Sequence, residues 1–539
     1  MTQNLSILMA QINPTVGAIA ANTAKIITII QSHQDKHDLI VFPELALTGY
    51  PPEDLLFRDK LFFQIDESLL KIQESTKNCH VIVGHPTIES GHCYNSASVF
   101  SNGMRLGIYH KQHLPNYGVF DEKRYFSKAT DSDPHSNGSI FDLHGTRFGL
   151  CICEDIWLKG PVDALIAAGV TAVICINASP FDENKYALRE SVLRSYAVRG
   201  IALIYVNLVG GQDDLVFDGQ SLALDGKGTI CARSPAFVEH LHTVKLQGSQ
   251  IQAEISPLLS REALIYQALI CGLRDYVEKN NFPGVLLGLS GGIDSALSLS
   301  IAVDALGPSR VQAFMMPSRY TASMSNEDAK EQAETMGVRY ASLPIEPAFK
   351  ALLSTLAPSF KGLKPDITEE NLQARIRGTL LMALSNKTGM MLLSTSNKSE
   401  TAVGYSTLYG DMAGGFAVLK DVLKTTVYAL SYYRNTLSNV IPTRVLTRAP
   451  SAELATNQTD QDSLPNYAIL DGIITAYMDN NLDADEIIKS GYEPHDVVKV
   501  LHLIKRNEYK RRQAPPGVKI TTCAFGRDWR YPLTSGFFE

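Results

Sequence analysis

Apolar and polar residues along this chain fall into two alternating patterns. Short continuous apolar runs predict buried strands at Leu5–Ile12, Leu39–Phe42, Val81–Val83, Phe148–Cys153, Val170–Ile176 and Ile201–Val206, because a strand covered on both faces needs no polar alternation. Between the first two, apolar positions at helical spacing predict an amphipathic helix over Ala20–Gln34. Around Leu246–Pro257 the pattern lapses into Gln-Gly-Ser-Gln and a Ser-Pro. That lapse places one domain over 1–245, a linker over 246–260 and a second domain over 261–539. The second half then reads as a helix over Arg261–Asn280, a strand over Val285–Leu289 and a helix over Ala296–Leu306, with further strands at Val311–Met315 and Met390–Leu393. Strand alternating with helix favours a parallel, doubly wound sheet. The lysine- and proline-bearing stretch Ser354–Glu370 is expected to be a loop.

Composition narrows the classes. A length of 539 residues exceeds one core, and 45% hydrophobic with 19% charged residues suits a soluble globular chain. The net charge of −7, without a long basic run, argues against nucleic acid as a main partner. The 8 cysteines are scattered, with no Cys-x-x-Cys pair and no Cys/His zinc spacing. The strand-like Leu5–Ile12 stands where a secretory core would, and no apolar run reaches membrane-spanning length. A cytoplasmic protein with free thiols and no membrane partner is the expectation.

The most informative stretch is Ser290-Gly-Gly-Ile-Asp-Ser295, at the turn from the Val285–Leu289 strand into a helix. Glycines let backbone approach a phosphate, and the helix start offers free N–H groups at a positive dipole end. No GxxxxGK Walker pattern accompanies it. The bland reading is an ordinary glycine turn. The SGGxDS pattern, however, resembles the pyrophosphate-binding loop of the ATP pyrophosphatases, which split ATP between its α and β phosphates and activate a carbonyl or carboxylate as an adenylate.

In the first half, Cys153 closes the run Phe148-Gly-Leu-Cys-Ile-Cys and precedes Glu154-Asp155. On a regular strand Cys151 and Cys153 share a face, and two small core residues are the bland reading. Glu44 in Phe-Pro-Glu-Leu and Lys111 in Lys-Gln-His-Leu-Pro also lie just past extended stretches, and the carboxyl ends of adjacent strands converge on one crevice. The chemistry is coherent. A thiol needs a base, which a carboxylate supplies, and an ammonium stabilises the oxyanion of a tetrahedral intermediate. The set reads as acyl transfer at an amide or nitrile through a thioester. His33 and His37, four apart on the first helix, read as a solvated face, and His110 and His113 as scaffolding around Lys111.

FPEL, KxxLP and CxCEDxW, in that order, resemble the nitrilase (carbon–nitrogen hydrolase) superfamily over about residues 1–245. The resemblance implies an αββα sandwich, with Glu44 as general base, Lys111 as oxyanion stabiliser and Cys153 as nucleophile. It also places Glu154 against substrate. Followed by an ATP pyrophosphatase, such a module is similar to the glutamine-dependent NAD synthetases along essentially the whole chain. Met316–Thr321, Glu370–Arg377, Ser394–Glu400, Gly404–Gly415, Lys424–Tyr428, Pro450–Leu454 and Tyr509–Arg512 carry that similarity. It implies a Rossmann-like, doubly wound parallel sheet for the second domain. Gly288, Leu289, Ser290, Gly291, Gly292, Ile293, Asp294 and Ser295 would hold ATP, with Thr395 and Lys424. Asp294 and Glu400 would bind Mg²⁺, since hard carboxylate oxygens suit it. Asn371, Glu400 and Lys510 would contact deamido-NAD, and Tyr117, Ser179 and Lys185 L-glutamine. For Ser179 and Thr395 the competing reading is a hydroxyl capping a helix.

Where the stand-alone ammonia-using synthetases carry a lysine, this chain has Leu408. The resemblance further implies a homo-oligomer and a protected passage for ammonia. Three other readings stay open at this level: an amidotransferase for another acid such as a nucleotide base or tRNA, a non-catalytic glutamine or nucleotide sensor, and two uncoupled activities on one chain.

Overall fold

The structure, a computed structural model, describes residues 4–129, 133–135, 137–451, 453–455, 460–462 and 464–537. The chain divides into two compact units, Met1–Leu259 and Ser260–Glu539. Among the described residues no helix is long and apolar enough to cross a membrane.

In the first unit a seven-stranded sheet runs in the order Gln250–Gln252, His240–Gln247, Leu5–Gln11, Leu39–Val41, His80–Glu89, His92–Ser101, Met104–His110. A six-stranded sheet follows the order Ile230–Arg233, Leu222–Leu224, Ala202–Asn207, Ala172–Asn177, Thr146–Ile152, Ile140–Leu143. The central strands of each sheet are buried on both faces, which explains the unbroken apolar runs. Ile7 and Met9 pack with Leu150, Ile152, Ile174 and Ile176 in one core between the sheets. Leu8 and Ala10 face instead the helices Ile19–His33 and Asp59–Ser75. On the far side, Cys151, Val173 and Cys175 pack under the helices Pro161–Ala167 and Lys185–Ala197. These are the helix, sheet, sheet and helix layers of the expected αββα sandwich.

Two expectations need correction. Residues 246–252 are not linker: Gln247 pairs with Gln250 across a turn in which Gly248 takes φ 62°, and the short strand Gln250–Gln252 closes the sheet edge. Its polar character reflects an edge position rather than an unfolded connection. The stretch Ser354–Glu370 is a loop only over 357–366, with helix at both of its ends. The helix Glu346–Leu356 runs into it, and the helix Ile367–Thr388 starts in it, where Asp366 and Glu369 form a reciprocal cap.

The second unit is built on a five-stranded, all-parallel sheet in the order Arg339–Ser342, Val311–Met315, Val285–Gly288, Met391–Ser394, Phe416–Ala417. The first strand in sequence, Val285–Gly288, lies in the middle. The chain therefore winds outward in both directions from it, leaving a crevice at the carboxyl ends where strand order reverses. The helix after it starts at Ile293, three residues earlier than the apolar pattern alone suggests, so the glycines sit directly at its amino end.

Candidate functional site

In the first unit the side chains converge from both sheets. The strands before Glu44 and Lys111 run the same way in the seven-stranded sheet, with two strands between them rather than side by side. Cys153 comes from the other sheet. Phe148, Leu150 and Ile152 face the space between the sheets and Cys151 faces away. Regular alternation would turn Cys153 outward with Cys151. Instead Cys153 takes the left-handed φ of 43° and starts the short helical turn Cys153–Ile156, which returns its sulfur to the inner side. The two cysteines therefore do not share a face. Glu44 is held by close backbone packing: a Cβ at Gly84 would sit 2.5 Å from both Pro43 O and Leu45 N.

The buried Lys111 ammonium donates to Glu44 Oε1 at 2.7 Å and to Glu122 Oε1 at 2.8 Å. Glu44 also accepts from Asn95 Nδ2 at 2.7 Å and from the Ala178 N–H at 2.8 Å, while Tyr50 donates to Glu122 at 2.9 Å. Burial alone would discharge Lys111, but Glu122 and Glu44 outweigh it and hold the ammonium charged well past the ordinary lysine range. Burial pushes the Cys153 thiol well up and Glu44 adds to that, with Lys111 pulling the other way. The resting sulfur is thus a neutral thiol beside a carboxylate. Burial also lifts the Glu122 carboxyl to about 7, against the pull of Lys111. Asp155, which sequence reasoning passed over, ties the two active loops together. It accepts from Tyr109 Oη at 2.8 Å, from the backbone N–H of Gln112 at 3.1 Å and His113 at 2.8 Å, and from Ile152 N–H at 3.1 Å.

Tyr117 Oη donates to Glu154 at 3.1 Å, and the Lys185 ammonium lies 4.7 Å from the centre of the Trp157 ring, close enough for Glu154 to feel its charge. Burial raises the Glu154 carboxyl, against the charges of Lys111 and Lys185. Ser179 lies at the end of the neighbouring strand, its N–H donated to Asn207 Oδ1 at 2.9 Å. It caps no helix. Of the histidines, His33 ends the helix Ile19–His33 and bonds to Ile29 O, while His37 lies beyond the helix, buried against His33 O and Thr243, so the two do not form the solvated helix face expected.

In the second unit a cavity of about 530 Å³ opens at the carboxyl ends of the parallel strands. Gly288 to Ser295, Asn371, Thr395, Glu400, Lys424 and Lys510, expected there from sequence, all line it. At Gly291 φ is 78° and a Cβ would lie 2.4 Å from Ser325 O, so a side chain there is excluded. The Ser295 hydroxyl accepts the Ser290 N–H at 3.1 Å and closes the loop. Lys424 Nζ donates to Asp294 Oδ2 at 2.5 Å and Glu400 Oε1 at 3.2 Å, and Asn397 caps the Glu400 helix while holding Asp294 at 2.8 Å. Burial pushes Glu400 up to about 8, with Lys424 opposing. Asn371 accepts from Thr407 Oγ1 at 2.8 Å, and Lys510 donates to Gly404 O and Ser406 O at 2.8 Å. The Leu408 carbonyl accepts from Arg375 Nε at 3.2 Å. Lys398 is a structural residue, buried against Asp421 at 3.0 Å.

Asp294 and Glu400 fit a divalent cation. Both are hard oxygen donors that already share one cation, and six carboxylates line the cavity (Asp294, Glu370, Glu400, Asp411, Glu453, Asp460) against four cations (Arg377, Lys424, Arg448, Lys510). A polyphosphate entering that field needs added positive charge. Among the described residues no cluster of three His, Cys, Asp or Glu side chains is arranged to hold a metal alone, so phosphate oxygens would have to complete the shell.

Comparison with known proteins places these sites in context. The family model described as Carbon-nitrogen hydrolase matches residues 7–254, and that described as NAD synthase matches residues 265–514. The glutamine-dependent NAD(+) synthetase of Xanthomonas campestris is 47% identical over 99% of this chain and 98% of its own length. That of Acinetobacter baylyi is 47% identical over 99% of both. The solved structure of the glutamine-dependent NAD+ synthetase from Acinetobacter baumannii, in complex with adenosine diphosphate, matches with 46% identity, a TM-score of 0.80 and 98% coverage of each chain. A buried Lys111 paired with Glu44 and Glu122 in one unit, a glycine-lined cavity in the other, and full-length relatives at this identity lead to one conclusion: the chain belongs to the glutamine-dependent NAD(+) synthetases.

Proposed function

We propose that Cys153, Glu44 and Lys111 release ammonia from L-glutamine, and that the cavity lined by Gly288–Ser295 spends ATP to make the carboxylate of deamido-NAD accept it. The single observation that carries this reading is the pairing of Lys111 with Glu44 at 2.7 Å in the buried cage around Cys153. As the sulfur attacks the amide carbon, Glu44 takes the thiol proton, since an anionic sulfur in a buried site needs an adjacent base. Lys111 has three N–H bonds, and Glu44 and Glu122 occupy two. The third would serve the oxyanion. Glu44 then returns the proton to the leaving nitrogen, ammonia departs, and water cleaves the thioester to glutamate by the same base. Tyr117, Glu154, Ser179 and Lys185 would orient the glutamine, with Glu154 and Lys185 matching its α-ammonium and α-carboxylate.

In the second unit, the nicotinate carboxylate attacks the α-phosphorus of ATP and the bond to the bridging oxygen breaks, with pyrophosphate leaving on that electron pair. Ammonia then displaces AMP from the mixed anhydride. The Gly288–Ser295 loop, Thr395 and Lys424 would hold the ATP phosphates, and Asn371, Glu400 and Lys510 the dinucleotide. Mg²⁺ held by Asp294 and Glu400 would supply charge compensation on the phosphates. Release of AMP from ATP and deamido-NAD, with either glutamine or ammonium salt, tests the assignment. Asp294→Ala is expected to abolish NAD formation from both nitrogen donors. Full synthesis by that variant at saturating Mg²⁺ would remove Asp294 from the metal and phosphate site.

A further inference from the structure

Four cations line the nucleotide cavity, and their hydrogen bonds separate them. Lys424 is committed to Asp294 and Glu400. Lys510 is committed to two backbone carbonyls. Arg448 donates to Ser325 Oγ at 2.9 Å and Gly291 O at 3.2 Å, and faces Glu453 at 3.7 Å. Arg377 differs. Its Nε donates to Met316 O at 3.0 Å, which anchors the side chain at its neck. Among the described residues its two terminal nitrogens have no hydrogen-bond partner, and no carboxylate lies within ion-pair distance.

The helix Ile367–Thr388 presents Asn371, Ala374, Arg377, Gly378 and Leu381 to the cavity along one face. Gly378 fixes how deep that face sits, because a Cβ there would meet the carbonyls of Gly410 and Tyr409 at 2.8 and 2.9 Å. Gly288 packs against the same helix, since a Cβ there would meet Leu381 at 3.4 Å and Met316 at 3.2 Å. Arg377 is therefore held beside the first glycine of the phosphate loop, on a rigid helix. Burial pulls its guanidinium down to about 10, with Glu453 and Asp411 offsetting only part of that. It stays charged at neutral pH while half-buried, with no carboxylate paired to it directly among the described residues, and a cation drawn out of water in that condition gains from an anion that completes it.

We propose that the terminal nitrogens of Arg377 grip the phosphates of the bound adenine nucleotide, alongside the Gly288 end of the glycine loop. Five N–H donors in a planar fork suit two phosphate oxygens at once, with one donor already spent on Met316. This contact rests on the proposed ATP site, and the test separates the two.

Calorimetric titration of the full chain with ADP and with adenosine, in the presence of Mg²⁺, is the experiment. Arg377→Gln is expected to weaken ADP roughly 10- to 100-fold, the range for loss of a charge-assisted contact, and to leave adenosine binding within about twofold. Arg377→Lys keeps the charge but loses the fork, and is expected to weaken ADP by a smaller factor, about three- to tenfold. If both ligands weaken equally, Arg377 serves the base or the fold and the phosphate contact is wrong. If neither variant alters ADP binding, the proposal falls outright. Should Arg377→Gln fail to fold, Arg377→Lys decides alone, and wild-type ADP affinity in it overturns the proposal. Failure of the unaltered protein to bind ADP would instead count against the ATP site itself.

Discussion

Glu122 offers the sharpest test of how the first site works. The substitution Glu122→Gln keeps shape and an acceptor oxygen but removes one of the two charges that hold Lys111. At the observed 2.8 Å, with an effective dielectric of about 20, the gross attraction is about 332/(20 × 2.8), or about 6 kcal/mol. Desolvation offsets part of it, and removing one partner of a buried pair typically costs about 3–5 kcal/mol. At Glu122, however, burial outweighs that attraction, since its carboxyl rises rather than falls, and Glu44 remains as a second anion, so the net change in stability is expected to stay within about 1 kcal/mol, or roughly 2–4 °C in melting temperature.

The functional effect of Glu122→Gln should be larger than the structural one. An ammonium no longer held in place stabilises the oxyanion poorly, and losing such a donor costs about 100- to 1000-fold in kcat. The acidic limb carries a distinct signature. Burial lifts the Glu122 carboxyl to about 7 and Lys111 opposes, so the carboxylate that anchors Lys111 forms as pH rises through 7. Wild-type glutamine hydrolysis should therefore climb across that pH, and the climb should vanish in Glu122→Gln. Synthesis from ammonium salt should not change. A variant with wild-type glutaminase rate and an unaltered acidic limb would refute the reasoning.

Two further outcomes follow from the same geometry. His85 is fully buried, and burial lowers its imidazole from 6.5 to about 4. Its folded pKa lies below the unfolded one, so the unfolded chain binds more protons and stability is lost as pH falls from about 6.5 towards 4, by up to about 3 kcal/mol. His85→Gln should flatten that acid dependence in denaturant unfolding followed from pH 7 to pH 4, and an unchanged slope would contradict it. Gly291→Ala should abolish NAD formation from either nitrogen donor, because φ is 78° and a Cβ would lie 2.4 Å from Ser325 O. Glutamine hydrolysis assayed alone should survive in Gly291→Ala, and retained synthesis would show that the loop tolerates displacement.

The features legible in sequence were those with a local signal. The Val285–Gly288 strand, the glycines and the helix start are contiguous, and the cavity forms where they meet. FPEL, KxxLP and CxCEDxW likewise sit at strand ends, where short motifs keep their meaning. Glu122 had no such signal. It lies in the short turn Glu122–Arg124 and reaches Lys111 only through space. Asn95 sits inside a strand whose alternation looks ordinary. The shared face assigned to Cys151 and Cys153 failed because one left-handed residue breaks the strand's parity, and no propensity marks a cysteine for that conformation. The lysines and prolines of the 354–370 stretch do lie in a loop, over 357–366, and the cap at Asp366 and Glu369 sets where the next helix begins. His240–Gln247 alternates buried and exposed positions with period two, so the strand signal ran on past the point where polar residues suggested a linker.

The division of labour between the two units is tested most directly by Cys153→Ala, assayed for NAD formation with glutamine and then with ammonium salt. Abolished synthesis from glutamine, alongside ammonium-dependent synthesis within about twofold of wild type, is the expected result. Equal loss of both activities in a folded protein, or persistent use of glutamine, would contradict it.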